Sequence, residues 1–219
     1  MSENTSSDFI LRPFTNRDYP GLVTLRNTIY PDNLTSVEQL LHNDKSHEQK
    51  VLKKRWVIEK NETILVSAMY TQYFETYHPN KFFIYIHVLP TLQGKGYGAS
   101  SFEYLMENLR PFNPIKISSE VNEIHKRSIR FLKDRGFKYT LKEQESRLDL
   151  QVYNPIKFQS EIVRALDQSL RIITLTEFRA EDEKADHKCW ALEREVAPDM
   201  PWTDPISIPD FGHYKDYIL

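Results

Sequence analysis

The sequence predicts an α/β fold built on a central mixed, twisted sheet with helices on both faces, followed by a smaller C-terminal segment. Three observations predict it. From residue 9 to about residue 150, β-prone runs alternate with stretches of helical period, the pattern of a layered α/β domain. An apolar run, Phe82-Phe83-Ile84-Tyr85-Ile86-His87-Val88-Leu89, leads through Gln93-Gly94-Lys95-Gly96-Tyr97-Gly98 into a helical pattern from Ala99: strand, glycine loop, helix. Finally, 219 residues exceed one average domain and fall short of two, so one domain with an appendage is expected.

Phe9-Ile10-Leu11-Arg12-Pro13-Phe14 opens the chain as a short strand closed by proline. Asn16 or Asp18 then caps a helix reaching Tyr30, with Leu22, Leu25, Arg26 and Ile29 on one face. Pro31-Asp32-Asn33 stops it, and Ser36 with Gln39 three residues on is a capping-box signature for a second helix to about Lys45. Arg55–Glu59 and Thr63–Tyr70 are strand-like runs around Lys60-Asn61-Glu62, a hairpin. In the next strand Phe82, Ile84, Ile86 and Val88 point one way, and Phe83, Tyr85 and His87 the other. Beyond the loop, Phe102, Leu105, Met106 and Leu109 give one helical stripe, ended by Pro111 and Pro114. Ile115–Val121 reads as a strand, Asn122–Arg135 as a helix stopped at Gly136, and Phe137–Leu150 as one or two closing strands.

The glycine loop is where chemistry is expected. The chain holds 6 glycines, three of them between Gly94 and Gly98. The first N–H groups of a helix lack internal partners and carry partial positive charge, so this end suits a phosphate. Glycine lets a pyrophosphate approach bare main chain, and Lys95 adds a mobile charge. The spacing is neither a Walker loop nor the GxGxxG of dinucleotide-binding units.

Val88-Leu89-Pro90 followed by Gln93-Gly94-Lys95-Gly96-Tyr97-Gly98 resembles motif A of the GNAT family of acyl-CoA N-acyltransferases. A second motif of that family is matched by Ile124–Phe137, ending in the usual Gly136-Phe137. The resemblance covers about residues 9–150 and implies the GNAT fold, with a GNAT acyl-CoA-binding domain at 9–152. It implies acetyl-CoA as co-substrate and transfer of an acetyl group to a primary amine of a small molecule or peptide. Val88, Gln93, Gly94, Lys95, Gly96, Tyr97, Gly98, Ala99 and His125 would then bind the cofactor. Main chain at Val88 would serve pantetheine and oxyanion, the amides from Gly94 to Ala99 the pyrophosphate, and the helices before residue 45 the acceptor wall. Two positions depart from the family pattern: His125 stands where Asn is frequent, and Leu132 where a Tyr acid protonates the departing thiolate. The second departure keeps open a non-catalytic acyl-CoA sensor or scaffold.

For the base, His87 has an intrinsic pKa near 6.5 and sits beside Val88, while Glu120 ends the next strand; sheet packing and helix capping are the alternative roles. Tyr70, Tyr73, Tyr77 and Tyr85 are candidates for an acceptor pocket or for core. The basic run Lys126, Arg127, Arg130, Lys133 and Arg135 either meets the adenosine 3′-phosphate or is solvated.

Asn154-Pro155 begins a linker with a short helix, residues 153–170, and Arg171–Leu175 reads as a new strand start. Leu192-Glu193-Arg194-Glu195-Val196-Ala197-Pro198-Asp199 then parallels Leu25–Asp32, so residues 171–219 read as a partial second GNAT-like domain without a second glycine loop. Such a fragment needs a partner surface, on the first domain or on a second copy as a homodimer. A formal charge of −2 gives nucleic acid no basic face, and no apolar stretch suits a signal or membrane span. Cys189 is the only cysteine and has no metal-ligand spacing around it, so a cytoplasmic location and no metal are expected.

Overall fold

The computed structural model describes residues 10–46, 51–73, 75–168, 170–208 and 210–217. It divides into two compact units, Met1–Lys138 and Tyr139–Leu219.

The first unit is a five-stranded mixed sheet in the order β1-β2-β3-β4-β5: β1 Arg12–Pro13, β2 Lys53–Lys60, β3 Thr63–Thr71, β4 Lys81–Val88 and β5 Lys116–Ser118. The first four strands are antiparallel neighbours, and β5 runs parallel to β4. Asn61 and Glu62 both take positive φ, 49° and 62°, the primed turn whose twist matches a two-residue hairpin. On one sheet face, Leu105 and Leu109 of helix α3, Tyr97–Leu109, are fully buried against Trp56, Ala68, Tyr70, Phe82 and Ile84. On the other, Leu25 of α1, Tyr19–Ile29, packs on Val57 and Ile64, and Tyr19 and Leu22 meet Leu40 of α2, Val37–Ser46. The Ser36 cap forms, its hydroxyl accepting the Gln39 N–H at 3.2 Å. Helix α4, Lys126–Lys133, follows β5. Gly136 takes a φ of +82° just past it, the left-handed stop that glycine supplies without strain.

Several expectations need correction. Phe137–Leu150 forms no closing strand: the stretch is irregular, and from Lys138 onward it is exposed and dense in charge, with β5 ending the sheet. Strand propensity without a partner ladder does not order a strand. The helix expected from Asn122 starts at Lys126, because Asn122 turns the chain first, its side-chain oxygen accepting from Ile124 N–H and its carbonyl from His125 N–H. The first strand is two residues long, and Phe9 lies outside the described residues. The fifth is shortened to Lys116–Ser118, a consequence of its divergence from β4.

The second unit is helical: α5 Gln159–Asp167, α6 Leu175–Glu181, α7 Ala185–Val196 and α8 Phe211–Tyr217. Arg171–Leu175 is not a strand. Thr174 and Glu177 form a reciprocal capping box, and this local pairing starts a helix where isoleucines alone suggested β-structure. His187 stacks on Phe211 at 3.6 Å and Trp190 meets the same ring, while Ala185, Ala197 and Tyr214 are buried. No helix among the described residues is long and apolar enough to cross a membrane.

Candidate active site

The site starts from the way β4 and β5 separate. β5 pairs only with Lys81–Phe83, while β4 runs on to Val88. Leu89 N–H bonds the Leu65 carbonyl at 2.9 Å, so main-chain groups at 89 and, by alternation, at 87 and 85 turn toward β3. Those of Ile84, Ile86 and Val88 turn the other way; the Ile84 carbonyl accepts the Ser119 hydroxyl at 3.0 Å. Past Ile84 the main chain of Ile86 and Val88 therefore borders a gap that no β5 residue fills with a ladder. The Gln93 side-chain amide reaches the Val88 carbonyl at 3.5 Å from the loop beyond.

That loop is shaped by two left-handed glycines, Gly94 at φ +82° and Gly96 at φ +92°, with Gly96 as the N-cap of α3. The N–H groups of Tyr97, Gly98 and Ala99 form the first turn and have no acceptor within the helix, whereas Ser100 N–H bonds the Gly96 carbonyl at 3.0 Å. A Cβ on Gly96 would meet no protein atom within 4 Å, so the residue is needed for its backbone angle and the space above it is open. A Cβ on Gly94 would lie 3.0 Å from a guanidinium nitrogen of Arg127, which places that cation beside the loop. Gly98 backs onto Phe131. These features together fit a diphosphate: first-turn amides, a helix N-terminus and a neighbouring arginine.

The basic run of α4 and the turn after it thus splits by role. Arg127 reaches the loop, Arg130 is near Asp134 at 3.9 Å, and Arg135 covers the Phe131 ring at 3.6 Å. Tyr97 contributes main chain only, since its ring is buried with Ile58 and Val66. Lys95 and Gln93 are exposed at the loop.

On the sheet face covered by α1, His87 approaches the ring of Tyr30, the residue closing that helix. Tyr30 stands edge-on to His87 at 5.8 Å and to His125, the N-cap of α4, at 5.9 Å. His125 and His87, predicted for different roles, therefore share one neighbour. Tyr30 was missed, although its place between a helix end and Pro31 was the available signal. Burial, reinforced by the charges of Arg26 and Arg55, holds the His87 imidazole down to about 4, so it is neutral at pH 7. Burial pushes the Tyr85 hydroxyl well up, and the charge of Glu120 adds to it. Glu120 itself is exposed beyond β5. Of the other tyrosines, Tyr70 belongs to the α3-side core, Tyr73 packs on Phe83 at 4.7 Å and Tyr77 is exposed. Leu132 is half-buried on α4.

No curated protein matches the chain. Among solved structures, it is similar to a transcriptional regulator from Bacillus halodurans C-125, with 15% identity, a TM-score of 0.52, and 64% of this chain and 99% of that one covered. An N-acetyltransferase from Staphylococcus aureus Mu50 gives 14% identity and a TM-score of 0.50, covering 60% and 84%. AAC(6')-Iy, solved in complex with the bisubstrate analogue CoA-S-monomethyl-acetylneamine, gives 13% identity and a TM-score of 0.50, covering 65% and 99%. At these identities the likeness is one of fold. The family model described as "Acetyltransferase (GNAT) family" matches residues 19–137, which is more than half of the chain and spans both the β4–loop–α3 junction and α4. The chain belongs to the GNAT family of acetyltransferases.

Proposed function

We propose that this protein is an N-acetyltransferase that moves an acetyl group from acetyl-CoA to a primary amine of a small molecule or peptide. The observation that carries the reading is the Val88 main chain, which borders the β4–β5 gap with the loop amides on one side and the Tyr30–His87 face on the other. The diphosphate rests on the amides from Gly94 to Ala99 beside Arg127, with Gln93 and Lys95 at the rim and His125 near the acyl end. The thioester carbonyl lies against Val88 N–H, which stabilises the oxyanion formed when the amine attacks. His87, neutral and half-buried, accepts a proton from the attacking amine, and Glu120 passes it to solvent. A structural neighbour solved with a CoA bisubstrate analogue supports the cofactor, and the family supports the reaction class.

The test is thiol release from acetyl-CoA against an amine panel. Turnover with at least one amine supports the reading, and its absence across the panel with intact CoA binding favours the second one. His87→Ala is expected to lower kcat about a hundredfold, the usual scale of a lost proton acceptor. The substrate amine sets the acidic limb of kcat/KM itself, so His87 is read from the ratio of kcat/KM in the parent to that in His87→Ala, which should fall near pH 4 and not near 6.5 because the imidazole stays neutral to that pH.

A second reading, a non-catalytic acyl-CoA sensor or scaffold, is favoured by Leu132. Leu132→Tyr is expected to leave CoA affinity unchanged and activity unchanged or raised; a large loss of rate would assign Leu132 a packing role instead. For residues 171–219 the reading is a partial second GNAT-like copy. Its support is that α1 and α7 end at matching positions of the repeat, Ile29 and Val196.

A further inference from the structure

Arg26 lies in the last turn of α1, one turn before Tyr30, and its charge acts on Tyr30, Tyr85 and His87. Its Nε is buried and has no hydrogen-bond partner. Among the described residues no acceptor or carboxylate pairs with its guanidinium. The neighbouring carboxylate, Asp44, is already committed: it accepts the Tyr19 hydroxyl at 2.8 Å, two Arg55 nitrogens at 2.9 and 3.3 Å, and Lys53. With two partners on each oxygen, its acceptor capacity is used. A cation set into the protein without a counter-ion is costly, and this one faces the side of the sheet where the acceptor has to sit.

We propose that Arg26 binds the carboxylate of the acceptor, so that the substrates are amines carrying a free carboxylate, as in amino acids and short peptides. The proposal rests on the transferase reading for the amine end of the substrate and on Arg26 for the acid end. A guanidinium holds a carboxylate through two parallel N–H bonds, and no side chain of the described residues takes up this one's donors. The carboxylate seated there leaves the amino group directed at His87 and the Val88 main chain. The same positive charge disfavours an ammonium ion beside it, which favours the neutral, nucleophilic amine.

The experiment pairs glycine, β-alanine, 4-aminobutyrate and glycylglycine with the carboxamide of each as acceptors in the thiol-release assay. At least one acid is expected to exceed its amide by tenfold or more in kcat/KM. Arg26→Gln should bring the acid-to-amide ratio of kcat/KM down to about one, whatever it does to both rates together, which a merely structural role would not do, and Arg26→Lys should restore part of the preference. Arg26→Met, close in volume, replaces the glutamine variant if that one melts well below the parent.

A second arm needs no turnover. N-Acetylglycine and N-acetylglycinamide are titrated by calorimetry into the CoA-saturated protein, and the acid is expected to bind at least tenfold more tightly in the parent and equally in Arg26→Gln. Selective binding of the acid through Arg26 without turnover of any amine would uphold the anion site and overturn the transferase reading. Acids and amides within twofold of one another in both arms, or O-phosphoethanolamine preferred to every carboxylate, would overturn the proposal.

Discussion

Gly96→Val is expected to weaken CoA binding by at least tenfold while leaving the melting temperature within a few degrees of the parent. Gly96 sits at φ +92° with nothing within 4 Å of where a Cβ would go, so no clash inside the protein limits the substitution. The backbone angle does. An L-residue in the left-handed region is strained by about 1–2 kcal/mol, and a β-branched one by more. The loop can keep its shape and carry that strain, or relax and turn the amides of Tyr97, Gly98 and Ala99 away from their common focus. A solvated loop relaxes easily, so the loss should appear in affinity; 1.4 kcal/mol is already a factor of ten. The valine also occupies the open space through which a diphosphate approaches. Gly98→Ala is the control, because its Cβ would make only ordinary contact with Phe131 at 3.5 Å. Calorimetry with CoA on the two variants separates the effects. Gly96→Val binding as tightly as the parent would place the cofactor elsewhere.

The strand–loop–helix junction was legible because its information is local. Glycine is the residue that tolerates Gly94 and Gly96 angles, and a helix N-terminus is a property of four consecutive residues. The alternation of β4 was legible for the same reason, and it placed Tyr85 and His87 on one face. What the sequence left hidden depends on long-range pairing. Nothing local in Phe137–Leu150 says that no strand awaits it, so β-prone residues were read as a strand that has no ladder. The divergence of β5 from β4 is likewise a relation between two segments more than thirty residues apart. Arg26 was visible on the face of its helix, yet its meaning depends on Asp44 being occupied by Tyr19, Lys53 and Arg55, which only the packed structure reveals. At Thr174 the miss was of another kind: the capping box was in the sequence and outweighs the isoleucines before it.

Asp18→Asn is expected to destabilise the first unit by about 2 kcal/mol, the scale for losing hydrogen bonds to a buried charged group, since Arg12 keeps Glu59 as a partner. Asp18 is 5% exposed and precedes α1 at its N-cap position, with its side chain turned to Arg12 and Thr15 and making no hydrogen bond to the helix. Its carboxylate accepts both terminal nitrogens of Arg12, at 2.8 and 2.7 Å, together with the Thr15 N–H at 2.7 Å and the Thr15 hydroxyl at 3.0 Å. Arg12 in turn bonds Glu59, so one guanidinium ties β1 and β2 to the start of α1. An asparagine keeps the size but presents one acceptor oxygen and an N–H₂ group to donors that need acceptors. The pH dependence has a definite sign. Hydrogen bonding from Arg12, against the opposing effect of burial and with help from Thr15, holds the Asp18 carboxyl down from 3.8 to about 2. A carboxyl depressed in the folded state contributes its stability fully above the unfolded value. Below it the unfolded chain binds a proton that the folded one refuses, and the contribution is lost between about pH 4 and pH 2. Urea titrations of the parent should therefore show stability falling through that window, and the asparagine variant, already lower at pH 7, should show a shallower fall. Equal slopes in the two proteins would mean that the acid sensitivity resides in other carboxylates and that the Arg12–Asp18 pair contributes little to holding β1 against α1.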